Sequence, residues 1–339
     1  FGFLRIYRGE LSYWRLDSPI SADIEIKAQQ LCKAAGLNVV GDPIARGKSK
    51  QWPSTFLKNF QDFECEMVGE SDWVLSPFIS FDKNVRCKDD EAIMLLAKLH
   101  SYNLTDVDTG PIPRFDSISD HLAYLTILTD THLSSFEVQR AKWPRGFNLV
   151  RQAFVTVGTA IVNEPETLWP ALCHLDFHSG NVLMSKCKET GKKKIEAIID
   201  WEFAGVADPR IDVAHMILRE TWTGDIICKR RRNNTDRADK IWSTWAKAVG
   251  VDNPGNWKVW VAFFCLMEIV QMTSILAMIR AKGFEACFPR CDLMERVEDL
   301  HSFLWILRDL GYTVEILVDP DGSWGSDSDS SSESGDDRV

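Results

Sequence analysis

HLDFHSGNVLM at positions 174–184 and IEAIIDWEFAGVADPRIDVA at positions 195–214 set the reading of this chain. Asp176 precedes an amide, Asn181, by five residues. Apolar runs then flank a lysine-rich turn: Val182-Leu183-Met184 before it, Ile195 and Ala197-Ile198-Ile199 after it. The second run ends in Asp200. Two short strands joined as a hairpin would carry Asn181 and Asp200 to the same end. An amide and a carboxylate there can face one divalent cation, since Mg²⁺ takes few hard oxygens from protein. Asp176 is then left to meet a hydroxyl, and the outline is that of a phosphoryl-transfer site.

With 339 residues the chain has room for one large domain or two lobes with real cores. The formal net charge is −10, of which −6 falls from Asp319 onward, leaving −4 for the rest. A mildly acidic body argues against nucleic acid as the main partner. Nine cysteines are scattered without a CxxC pair, which fits free thiols in a reducing compartment. The most apolar stretch, 257–279, is interrupted by Lys258, Glu268 and Gln271. It reads as a core helix rather than a membrane span. The acidic, serine-rich end (SDSDSSSESGDD) reads as disordered.

Taken in order, Phe3 to Tyr7 alternate like a strand. Asp17-Ser18-Pro19 opens a helix whose apolar residues Ile20, Ile24, Ala28, Leu31 and Ala35 recur at helical spacing up to Gly36. Strands are expected at Val39-Val40, Pro43-Ile44-Ala45 and Trp73-Val74-Leu75, with an inserted loop and hairpin over 48–70. Asp89-Asp90-Glu91 starts a helix to His100, with acids favourable to its dipole. Further helices are expected at 117–132, 145–163, 211–221, 235–249, 256–281 and 291–310. The division drawn from this is a partial N-terminal lobe (1–75), a mostly helical C-terminal lobe (76–318) and a tail (319–339).

Each site residue has a duller reading. Asp176 alone could cap a loop, and Asn181 could be a turn residue after Gly180. Asp212, near the start of the helix after the site, reads as a structural acceptor of backbone N–H groups from the Asp176 loop. A His-x-Asp pair with a distant histidine such as His215 would suit a non-haem iron triad. That reading leaves Asn181 and the strand before Asp200 unexplained.

The chain resembles the aminoglycoside phosphotransferase family, within the protein-kinase-like superfamily. HLDFHSGNVLM resembles the family's His-Gly-Asp-x-His-x-Gly-Asn loop, and IIDWEFAGVADPRIDVA resembles its Ile-Asp-Trp-Glu…Gly-Asp-Pro…Asp-Leu-Ala segment. Phe3-Leu4-Arg5-Ile6 resembles its third strand, the helix around Glu25 its C-helix, and Leu96 to His100 its Leu-Ala-x-Leu-His helix. The resemblance implies an α+β, two-lobed protein-kinase-like fold with a small β-rich first lobe, lacking its first strands, and a larger helical second lobe. It implies ATP and Mg²⁺, Asp176 as catalytic base and Asn181 and Asp200 on the metal. It also implies Arg5 paired with Glu25 near the nucleotide, and His174 and Asp212 supporting the catalytic loop. Leu175 stands where the family usually has glycine, and no glycine-rich loop precedes Arg5.

The function expected is ATP- and Mg-dependent transfer of the γ-phosphate to a hydroxyl of a polar metabolite or aminoglycoside-like compound. The competing expectation is a weak or inactive pseudokinase acting as a nucleotide-binding or interaction module. Expected partners are a small-molecule acceptor and, through the acidic tail, a docked protein, with neither nucleic acid nor membrane. The expected location is cytoplasmic.

Overall fold

Strand β1 (Gly2–Arg8), β2 (Ala45–Lys48) and β3 (Ser71–Pro77) form an antiparallel sheet in the order β1-β3-β2, with Arg5 opposite Val74. This is a computed structural model, and it describes residues 2–8, 22–38, 41–48, 71–134, 144–166, 168–187, 189–222, 235–282 and 293–312. The expected helix start at Asp17–Pro19, the strand at Val39-Val40, the hairpin within 49–70 and the acidic tail lie outside the described residues.

Helix α1 (Ala22–Ala34) buries Ile24, Ala28 and Leu31, the stripe read from the sequence, and carries Glu25. It packs against the short 3-10 turn Trp201–Phe203, so the first lobe touches the chain just beyond Asp200. Helix α2 (Asp89–His100) begins with Glu91 accepting from the Lys88 N–H at 3.0 Å, which satisfies one of the free amides at its N-terminus.

The other helices are α3 (Ile118–Ser134), α4 (Pro144–Ile161), α5 (Arg210–Trp222), α6 (Thr235–Val249), α7 (Trp257–Lys282) and α8 (Leu293–Asp309). Every expected helix from residue 89 onward is present, with ends moved by a residue or two. Helix α7 is the axis of this lobe and packs against α4, α5 and α8. Its Trp260, Phe263 and Phe264 are fully buried. Burial of such a side chain contributes roughly 1.5–3 kcal/mol. No helix among the described residues is long and apolar enough to cross a membrane.

Two small ribbons hold the signature stretch. Strand β4 (Ala171–Cys173) pairs antiparallel with β7 (Gly205–Ala207), and β5 (Val182–Lys186) with β6 (Lys193–Ile198). The five cysteines described (Cys32, Cys87, Cys173, Cys187 and Cys265) are free thiols.

Candidate active site

The β5–β6 hairpin sets the geometry. Val182 pairs with Ile198, and the Asn181 carbonyl accepts from the Ile199 N–H at 3.0 Å. Asn181 and Asp200 therefore sit at the same end of the ribbon. Asp200 is half-buried and left-handed (φ 71°, ψ 48°), where it turns the chain into the 3-10 segment. Aspartate tolerates that conformation better than most residues.

The loop between β4 and β5 carries Asp176. Asn181, itself buried, reaches back and donates through Nδ2 to the Asp176 main-chain carbonyl at 2.9 Å, with the carboxylate oxygen Oδ2 at 3.5 Å. The loop is tight enough that a Cβ on Gly180 would lie 2.7 Å from His178 Cε1, while the His178 Nδ1 accepts from the Gly180 N–H. A side chain at position 180 would therefore displace the His178 ring.

Asp212, at the start of α5, anchors the same loop from below. Its fully buried carboxylate accepts from the His174 N–H and the Leu175 N–H, each at 2.7 Å. His100, at the end of α2, lies 3.2 Å from the same carboxylate through Nε2. The His100 Nδ1 accepts from the Trp245 indole N–H at 3.1 Å, so the ring proton is on Nε2 and is donated to Asp212. The Trp169 indole N–H in turn donates to the His100 carbonyl at 2.8 Å.

These bonds hold Leu175 at φ 60°. A left-handed conformation costs a side-chain-bearing residue roughly 1–2 kcal/mol. The glycine usual at this position in the resembled family has a plain physical reason, and this chain departs from it with the strain retained.

Burial pushes the Asp176 carboxyl up to about 7, and the like charge of Asp200 adds to this while Arg219 opposes it. Arg219 Nη2 is 3.8 Å from Asp176 Oδ1, and His215 Nε2 is 3.6 Å from the same oxygen. The His215 contact is not an ion pair. Its Nε2 accepts from Arg219 Nε at 3.1 Å, and burial holds the ring well below its usual range, so the imidazole is neutral. It stacks on Phe264 with centroids 4.4 Å apart.

His174 is directed inward. Its Nε2 donates to the Ile199 carbonyl at 2.8 Å, its ring lies 4.5 Å from that of Trp201, and burial lowers its pKa. The iron triad is therefore not assembled. Among the described residues, the only group of three histidine, cysteine or acidic side chains close enough to share an ion is His100, Cys173 and Asp212. His100 and Asp212 are engaged in bracing the loop, and the Cys173 thiol faces the carbonyls of Ala171, Ala207 and Asp208.

Glu25 is buried on α1 and accepts from Gln29 at 3.0 Å. Arg5 is placed on β1 by backbone register, and its side chain lies outside the described residues. The structure thus brings Asp176, Asn181, Asp200, His174 and Asp212 together, and leaves the Arg5–Glu25 pair without a description.

Sequence reading missed Arg219 as a neighbour of Asp176. It also missed the buried Asp208–Arg210 pair, in contact at 2.6 Å, which fixes the start of α5. The signal for the first was the i, i+3, i+7 recurrence of Asp212, His215 and Arg219 on one helix.

Asp176, Leu175 and Arg219 open onto a cavity of about 220 Å³, walled also by Phe115, Tyr124, Phe203, Met267 and Met272. Glu268, Gln271 and His121 complete its polar lining.

The arrangement is an α+β, kinase-like fold with acids and an amide gathered at a hairpin end beside a cavity. Residues 90–247 match the model of the phosphotransferase enzyme family. Over that stretch, less than half of its length, the chain is similar to the aminoglycoside phosphotransferase family.

Among solved structures, a candidate aminoglycoside phosphotransferase from Ralstonia eutropha is similar in fold. It has 10% identity and a TM-score of 0.51 over 90% of this chain and 85% of that one. A choline/ethanolamine kinase family protein from Mesorhizobium loti has 15% identity and a TM-score of 0.50 over 86% and 82%. No curated protein matches the chain.

Proposed function

We propose that this chain transfers the γ-phosphoryl group of Mg-ATP to a hydroxyl of a small molecule, with Asp176 as the base. The observation that carries this reading is the placing of Asp176, on an Asn181-clamped loop, between the Asn181–Asp200 hairpin end and the cavity. The acceptor enters from the cavity, and its hydroxyl proton passes to an Asp176 carboxylate oxygen as the hydroxyl oxygen becomes nucleophilic. Arg219 favours the ionised form that can take the proton. Asp212 and His174 act as positioning residues that fix the loop.

The donor set fits magnesium. The Asn181 Nδ2 is engaged by the Asp176 carbonyl, so the free face of its amide is the oxygen Oδ1. With an Asp200 carboxylate this gives two hard oxygens, the share a protein gives to a phosphate-bound Mg²⁺. The opposition between the charges of Asp176 and Asp200 is the repulsion a cation there relieves. Bound at those oxygens, magnesium supplies charge neutralisation at the phosphates. Arg5 and Glu25 are proposed to serve the nucleotide side.

The test is nucleotide binding followed by turnover. Mg-ATP at a hundredfold excess over its Kd stabilises the protein by about 2.7 kcal/mol, read as a raised melting temperature. Asp200→Asn is expected to lose most of the magnesium-dependent part of that shift while the free protein still melts cooperatively. No stabilisation by Mg-ATP, and no ADP formed with any alcohol, would leave the chain an inert interaction module.

A further inference from the structure

We infer that the acceptor is a compact alcohol with a largely apolar, aryl-like body, selected by the strained Leu175, and not a polycationic sugar. This rests on the phosphotransferase reading above and concerns only what fills the cavity beside Asp176.

Three observations converge. The first is size. The cavity measures about 220 Å³. Sites that enclose drug-sized ligands run to roughly 300–1,000 Å³. The space beside Asp176 encloses a one- or two-ring body, and a three-ring aminocyclitol with its reacting hydroxyl there would extend beyond it.

The second is the lining. Phe115, Tyr124, Phe203, Leu175, Met267 and Met272 give aromatic faces and thioethers, a surface that packs against an aryl or alkyl body. His121 adds a flat face and no charge. Its ring stacks on Phe115 at 4.1 Å, and burial lowers its pKa to about 3.

The third is charge. Among the described residues of the wall, Asp176 and Glu268 are the acids and Arg219 is the base. A polycation needs several carboxylates to replace its water, whereas here one guanidinium stands among two carboxylates.

Leu175 is the specificity-determining residue. It is left-handed, so its side chain projects where a glycine would leave space. It fills the gap over Gly205, at which an added Cβ would lie 3.1 Å from Leu175 Cδ1. Next in sequence to the base, it narrows the cavity at the point where the hydroxyl must sit.

The experiment uses the full chain, with 2-phenylethanol and tryptophol as compact probes and kanamycin as the polycation. Binding is followed by saturation-transfer NMR, and turnover by ADP release with Mg-ATP. The expected result is binding of both aryl alcohols and none of kanamycin. Leu175→Gly is expected to weaken tryptophol binding roughly tenfold, the discrimination given by one or two methylene contacts. Gln271→Trp, which adds bulk to the wall from α7, is expected to remove binding while the melting curve stays cooperative.

Binding of kanamycin in place of the aryl alcohols overturns the inference. So does aryl-alcohol binding that neither variant changes, or no aryl-alcohol binding at all. The two readings fail separately. Aryl alcohols that bind without ADP release at any acceptor concentration overturn the phosphotransferase reading and leave the ligand class standing. ADP release with kanamycin alone does the reverse.

Discussion

Asp176→Asn is expected to lower phosphate transfer on the order of 10²–10⁴-fold, the share of a positioned general base, while raising the melting temperature above pH 7. The two effects have one cause. Burial lifts the Asp176 carboxyl from 3.8 to about 7 in the folded protein. Between those values the folded chain holds a proton that the unfolded chain releases, so the contribution of this group to stability falls as pH rises through 7. Asparagine has nearly the same shape and no charge to lose, so the variant escapes that cost. Rate is measured by ADP release at saturating acceptor, and stability by thermal melts at pH 6 and pH 8. A variant with full turnover would remove Asp176 from the base role. A variant less stable at pH 8 would show that the Arg219 attraction outweighs burial.

The second large effect belongs to Asp212→Ala. The carboxylate is fully buried and accepts from two loop amides at 2.7 Å, with His100 Nε2 at 3.2 Å. Alanine leaves three donors buried without a partner and a small cavity among them. Breaking such a cluster costs about 3–5 kcal/mol, since each unsatisfied group keeps its full desolvation penalty. The Leu175 N–H bond also keeps residue 175 left-handed, so its loss frees the loop and displaces Asp176. Urea denaturation measures the stability, and turnover is expected to fall with it. A change below about 1 kcal/mol would show that water enters and replaces the carboxylate.

Most of the helical lobe was legible in the sequence because its apolar residues recur at helical spacing between clear caps. Helix α7 shows how. Its polar interruptions at Lys258, Glu268 and Gln271 marked a packed helix, and its Trp260, Phe263 and Phe264 fill the core. The hairpin was legible because a lysine-rich turn separates two apolar runs.

What the sequence did not disclose is set by contacts across long separations. His100 and Trp245 are 145 residues apart, and the bond between them fixes a tautomer that neither residue's neighbours suggest. Arg219 reaches Asp176 only through the seating of α5. Leu175 was seen as an exception to a glycine pattern, but its left-handed backbone and its place in the cavity wall needed coordinates. The pairing of Arg5 with Glu25 rests on resemblance alone.

The imidazoles around the site have a consequence for life in acid. His174, His215 and His121 stack on rings or lie against them, and each leaves its Nδ1 buried without a partner. Burial depresses all three pKa values, and that of His178 to about 4. Above pH 6.5 both the folded and the unfolded chain keep these rings neutral. As pH falls below that, the unfolded chain takes up protons the folded chain refuses, and stability drains away. The same rings that act as plain aromatic filler at neutral pH thus set an internal limit on acid tolerance, written into the packing around the Asp176 loop and the cavity.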